Sequence, residues 1–261
     1  MAKHRRKRGS ILLKTFQTSV LEGSFAHVYS TLAQIGSSFI IKFMVIMGAS
    51  PLQYSLFSAI AQVSAIWQPL GIVFSHRISQ RKWLCIWITA LGRFLSMFMG
   101  LALIFNDPQQ GIWFLLILMF FCAGFQATGA NIWIAWISDL IPLRIRGRFF
   151  SRRNQILLVV GLAISYVVSF HIDLFESKGG SLREVYIRLL GAESFFVPAN
   201  QSRFLAVIFA GAAIIGLIGL SFLALQPERK RKNHKLFGLW QTFRQPFQDR
   251  NFRLLMAFGI W

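Results

Sequence analysis

Six stretches of mainly apolar residues follow one another along the chain, at 28–48, 54–74, 83–105, 112–137, 155–170 and 204–225, and a seventh opens near residue 252. Most of them run to about 20 residues, the length a helix needs to cross a hydrocarbon layer about 30 Å thick at 1.5 Å per residue. In lipid each backbone N–H and C=O must be satisfied within its own segment, and the alternation of a barrel strand is absent, so these segments read as helices. The expected fold class is therefore all-α: a polytopic membrane protein built as a six-helix transmembrane bundle. Only 14% of the 261 residues are charged, against roughly 25% in soluble domains.

The formal charge of +19 would suit nucleic acid if it formed one solvated patch. The 28 Lys and Arg instead fall almost entirely between the apolar stretches, so no nucleic-acid partner is expected; the lipid bilayer is. Six lie in the N-terminal tail, three (Arg77, Arg81, Lys82) after the second stretch, five (Arg144, Arg146, Arg148, Arg152, Arg153) after the fourth and eight from Gln226 onward. The first-to-second and third-to-fourth connections have none. By the positive-inside rule the N-terminus is cytoplasmic, with the plasma (inner) membrane as the expected location. The apolar run from Val28 is too long for a signal peptide, so it should stay attached.

Four regions follow: a basic tail with an interfacial amphipathic helix (1–27), the six-span bundle (28–225), a basic amphipathic linker (226–251) and the start of a seventh span (252–261). Residues 11–22 and 236–247 read as membrane-surface helices or plain linkers. In the outer loop, Ser181, Leu182, Arg183 and Glu184 form a capping-box sequence, with Gly191 as the stop, which predicts a short amphipathic helix.

Polar residues recurring on one face of a span indicate a cavity or interhelical packing. His27, Thr31, Gln34, Ser38 and Lys42 share an arc of about 80° at 100° per residue, which favours a water-accessible cavity face. Gln126 and Asn131 occupy the fourth span, and Gln126 shares a face with Trp133. Arg93 lies roughly 15 Å into the third span, where an unpaired Arg costs about 2.5–3.5 kcal/mol. No acidic residue falls inside the assigned spans, so Arg93 is left with backbone carbonyls, Ser and Gln groups, water, an acid from a missing segment or an anionic ligand. For the same reason no proton coupling is expected from these spans, with His27 as the sole candidate. Gly161, Ser165 and Ser169, and Ala212 with Gly216, are spaced for close helix contact.

No paired intramembrane carboxylates, His pair at metal spacing, Gly-rich phosphate loop or base-paired nucleophile is apparent, so neither an enzyme nor a cofactor or metal is expected.

The turn His76, Arg77, Ile78, Ser79, Gln80, Arg81, Lys82 resembles the signature between the second and third helices of the major facilitator superfamily, Asp-Arg-x-Gly-Arg-Arg/Lys. Arg77, Arg81 and Lys82 match it, while His76, Ser79 and Gln80 replace the Asp, the Gly and the next Arg. Asp139, Pro142, Arg146 and Gly147 resemble the ending of that family's fourth helix, and Pro227, Glu228 and Arg229 its exit after the sixth. The resemblance implies a secondary transporter moving a small solute by alternating access, of which this chain is the N-terminal half, truncated in the seventh helix and partnered by a missing C-terminal half. It also implies that the first and fourth helices line the cavity and that Arg77, Arg81, Lys82, Asp139 and Arg146 form a cytoplasmic gating cluster. The alternative is a six-span scaffold or assembly subunit, against which the end inside an apolar run weighs.

Overall fold

A computed structural model describes residues 2–69, 71, 81–175, 181–191, 195–228, 244 and 247–260, with side chains from residue 13 onward except at 181–183, 187, 190 and 259–260. Among them the chain is helical without strands: α1 (Ala2–Ala33), α2 (Ser38–Ile46), α3 (Pro51–Val63), α4 (Arg81–Ser96), α5 (Pro108–Leu140), α6 (Leu143–Asp173), α7 (Ser181–Leu190), α8 (Gln201–Ala224) and α9 (Arg250–Ile260). Tighter 3₁₀ turns extend α3 through Ser64–Trp67 and α4 through Met97–Ile104. Five helical segments are long and apolar enough to cross a membrane: Leu13–Ile46, Arg81–Ile104, Pro108–Leu140, Leu143–Asp173 and Pro198–Ala224. They suit a multi-pass integral membrane protein.

The expected second span reaches only α3 and its 3₁₀ extension within the described residues; Arg77 and most of the linker lie outside them. The boundary drawn at residue 27 falls inside α1, which runs unbroken through it. The chain breaks later than expected, at 34–37, where Gly36 takes φ +90°, a conformation costly to a residue with a Cβ. Ser37 restarts the helix: its hydroxyl accepts from the Phe39 N–H at 3.2 Å and donates to the Thr31 carbonyl at 2.7 Å. The first span is therefore two helices joined by a bend, and the arc computed for an unbroken helix does not apply to Ser38 and Lys42.

The turn after α2 is fastened by side chains. Ser50 and Gln53 form a capping box at the start of α3, and Gln53 Nε2 donates to Gln109 Oε1 at 2.9 Å. Asp107 caps α5, whose first position is Pro108, where the missing N–H costs nothing.

One core runs between α1, α2, α5 and α8, with Tyr29, Phe43, Met44, Met99, Ile112, Leu115, Met119 and Phe209 fully buried. A second lies toward the Arg-rich end and contains Cys85, Ile132, Trp136, Ile137, Phe149, Leu220 and Leu223. Small residues set the spacing. A Cβ on Gly216 would lie 2.9 Å from Tyr29 Cβ and 3.0 Å from Arg93 Cδ, and one on Gly92 would lie 2.9 Å from Gln126 Nε2. These glycines let α8 approach α1 and α4, and let α4 approach α5. The amphipathic helix of the outer loop is α7, closed by Gly191 at φ +60°.

Candidate functional site

Two cavities follow α1. One, about 630 Å³ and named outer for the side expected from the charge census, is lined by Ser30, Thr31, Gln34, Ser38, Lys42, Ser165, Ser169 and Asp173 among others. The inner one, about 290 Å³, is lined by Glu22, His27, Ser30, Gln34, Thr89, Arg93, Gln126, Trp133 and Arg153 among others. Ser30 and Gln34 belong to both linings, so polar groups border open space from Lys42 to Glu22. All five residues of the expected stripe, and Gln126, line this track; Asn131 lines neither cavity. The bend at Gly36 redirects Ser38 and Lys42 without removing them from it.

Gly161 packs as expected, a Cβ there falling 2.6 Å from His27 Nε2. Ser165 and Ser169, expected only to pack, line the outer cavity instead.

The inner cavity adds a carboxylate from just before the span assigned to 28–48, within the longer apolar segment Leu13–Ile46. Glu22 is buried at 4% exposure inside α1, with Oε1 3.7 Å from Arg93 Nη2 and Oε2 3.5 Å from Arg153 Nη2. A carboxylate scores as a break in an apolar run, so hydropathy places it in a surface helix; two guanidiniums supplied by other helices are what make burial tolerable. Glu22 therefore joins His27 as a titratable group within the Leu13–Ile46 segment.

Arg93 is held from both α1 and α8. It donates to the Gly216 carbonyl, its guanidinium carbon lies 5.5 Å from the Tyr29 ring centroid, and Ser96 Oγ lies 3.2 Å from the Tyr29 hydroxyl. The Arg93 carbonyl accepts from Ser96 at 2.7 Å. The close approach of Gly216 is what brings that carbonyl within reach. Of the expected partners, one backbone carbonyl, that of Gly216, serves the Arg93 guanidinium, and its counter-charge is Glu22.

Arg153, expected in a cytoplasmic connection, instead belongs to α6, which begins at Leu143 and carries it inward. Its Nε donates to the Ser19 carbonyl at 3.1 Å, and its guanidinium lies 4.5 Å from the Trp133 ring centroid. Gln126 Nε2 donates to the Thr89 carbonyl at 3.2 Å. Glu22, Tyr29, Thr89 and Arg153 are the polar lining residues that sequence reasoning missed. A signal existed: Thr15, Ser19, Glu22 and Tyr29 recur at helical spacing, and all four are buried. The polar side of this segment faces inward while Leu13 and Leu21 are exposed, the reverse of an interfacial helix.

At the Arg-rich end, Arg81 Nη1 meets Asp139 Oδ2 at 3.3 Å, joining α4 to the end of α5. Lys82 donates its backbone N–H to Glu228 Oε1 at 3.1 Å and its Nζ to the Gln226 carbonyl at 3.2 Å. Arg146 donates to the Ser138 carbonyl at 2.7 Å and the Ile141 carbonyl at 3.5 Å, capping the C-terminus of α5. The expected cluster is thus two contacts bridging helices and one helix cap.

Comparison with protein-family models, curated proteins and solved structures finds no match to this chain.

Proposed function

We propose that this chain is the N-terminal bundle of a secondary transporter of the major facilitator type, carrying a small solute across the membrane by alternating access. The observation that carries the reading is the polar track along α1. Two cavities abut at Ser30 and Gln34, one running toward Lys42 and the other toward a buried Glu22–Arg93–Arg153 cluster. A membrane helix needs neither open space nor buried ions for its own stability, and intramembrane ionisable groups mark solute or ion pathways. A scaffold subunit has no use for either.

In this reading the outer solute path spans the bend at Gly36, and Ser30 with Gln34 forms the passage from it to the inner one. The Arg81–Asp139 and Lys82–Glu228 contacts hold the cytoplasmic ends of the helices together in one of the two access states. A second bundle faces the track and closes it. The N-terminus is cytoplasmic, as the Lys/Arg census requires, and the host is the plasma (inner) membrane.

Single cysteines at Thr31 and at Ala26, in protein whose Cys85 and Cys122 are replaced by Ala, test the reading in sealed vesicles. Alternating access requires each to be reached by membrane-impermeant maleimide from either side, in proportions that change together when Asp139 is altered. Accessibility fixed to one side under all conditions would refute it.

A further inference from the structure

The inner cavity is one negative charge short. Glu22 is the only carboxylate among its described lining residues, while Arg93 and Arg153 each bring a full positive charge. The two arginines are held alike, each by one backbone carbonyl, by Glu22 and by one aromatic ring, so that each has used two of its five N–H donors. They differ in access: the Arg153 side chain is 11% exposed against 5% for Arg93. Buried donors exceed acceptors as well: Arg93 Nε and Trp133 Nε1 have no hydrogen-bond partner among the described residues. Glu22 Oε2 lacks a hydrogen bond too, but it faces Arg153 as an ion pair.

We infer that the inner cavity binds a small organic monocarboxylate, whose carboxylate pairs with Arg153 beside Trp133 and supplies the missing charge. This rests on the transporter reading and names the class of its solute. A single excess positive charge favours a monoanion; phosphate, carrying about −1.5 to −2 near neutrality, would overshoot. The planar guanidinium fork matches a carboxylate with two parallel N–H···O bonds. The rest of the lining includes Ala130, Ile134, Leu157, Leu223 and the Trp133 ring, which suits an apolar organic body better than a bare inorganic ion. Neutral solutes leave the charge unmatched, and dicarboxylates reverse it.

The test uses the full-length protein with Ala26→Cys on the cavity wall, in the background lacking Cys85 and Cys122, and reads the rate of maleimide labelling at constant ionic strength. Benzoate should slow labelling; benzamide, its neutral isostere, should not, and phthalate should be weaker than benzoate. Arg153→Gln, which leaves Glu22 and Arg93 in balance, should weaken benzoate protection by about tenfold or more. Three results would each overturn the proposal: equal protection by benzamide, no protection by benzoate, or protection unchanged in Arg153→Gln. The benzoate, benzamide and phthalate comparison needs no arginine variant, so it stands even if Arg153→Gln does not fold. Benzoate protection together with labelling confined to one side of the membrane would support the anion site while refuting alternating access. Two-sided labelling with no carboxylate effect would do the opposite.

Discussion

Removing the carboxylate from the Glu22 cluster should cost more than removing either arginine, because of how the charges divide. At 3.7 and 3.5 Å, each Glu22–guanidinium attraction is about 4–5 kcal/mol at an effective dielectric of ~20, before desolvation is subtracted. Glu22→Gln abolishes both attractions and leaves two like charges buried together, so it should destabilise by about 3–5 kcal/mol, the usual cost of orphaning a buried ion. Arg93→Gln keeps the Glu22–Arg153 pair but loses the bond to Gly216 and the Tyr29 stacking, at about 2–3 kcal/mol. Arg153→Gln leaves a neutral Glu22–Arg93 pair but loses the bond to Ser19 and the Trp133 stacking, so about 2–3 kcal/mol is expected here too. The double variant Glu22→Gln with Arg153→Gln should fall short of the sum of its singles by about 1–2 kcal/mol, since it removes one of the two orphaned charges. Unfolding in mixed micelles with increasing SDS, followed by tryptophan fluorescence, measures all four. If Glu22→Gln unfolds no more readily than Arg153→Gln, the shared-carboxylate account is wrong.

Gly216→Ala forces a methyl against Tyr29 and Arg93 and should destabilise by about 1–3 kcal/mol in the same assay, whereas Gly211→Ala, with open space around its Cβ position, should be near neutral. Asp139→Asn breaks the pair with Arg81, a partly exposed contact worth only about 1 kcal/mol; that is enough to shift the inward-to-outward labelling ratio several-fold, and an unchanged ratio would remove the gate role. For orientation, a cysteine at the exposed Leu189 of α7 should react with impermeant maleimide from outside intact cells, and one at the exposed Arg152 should not; the reverse pattern would invert the topology.

The fold was legible wherever it rests on length and hydropathy. Five of the apolar runs became helices long enough to span a membrane, Gly191 ended α7, and Gly161 of α6 and Gly216 of α8 became points of close approach. What escaped were features that hydropathy does not encode. Gly36 carries no signal separating a tolerated helix glycine from one at φ +90°, because the deciding factor is the Ser37 hydroxyl finding carbonyls on the preceding turn. The 3₁₀ segment Met97–Ile104 follows Ser96, whose hydroxyl bonds back to the Arg93 carbonyl, a local choice that an apolar pattern leaves open.

The site shows the same division more sharply. His27, Gln34 and Gln126 were found because each is polar within an apolar run, and such a residue announces itself. Glu22 and Arg153 were lost because each sits where charges are expected to meet water: one in an amphipathic lead-in, the other in a basic turn. Burial of an ion is a property of its partners, and those partners stand 71 and 131 positions further along the chain. No window of hydropathy spans that distance. The periodic recurrence of Thr15, Ser19, Glu22 and Tyr29 does fit within one window, and it points to a polar face turned inward when Leu13 and Leu21 are taken as the lipid side. An amphipathic segment running straight into a membrane span, with its charge on the face continuous with the bundle interior, is therefore to be read as part of the span. Its lone acid then predicts an arginine on a neighbouring helix at the same depth, and Arg93 meets that requirement.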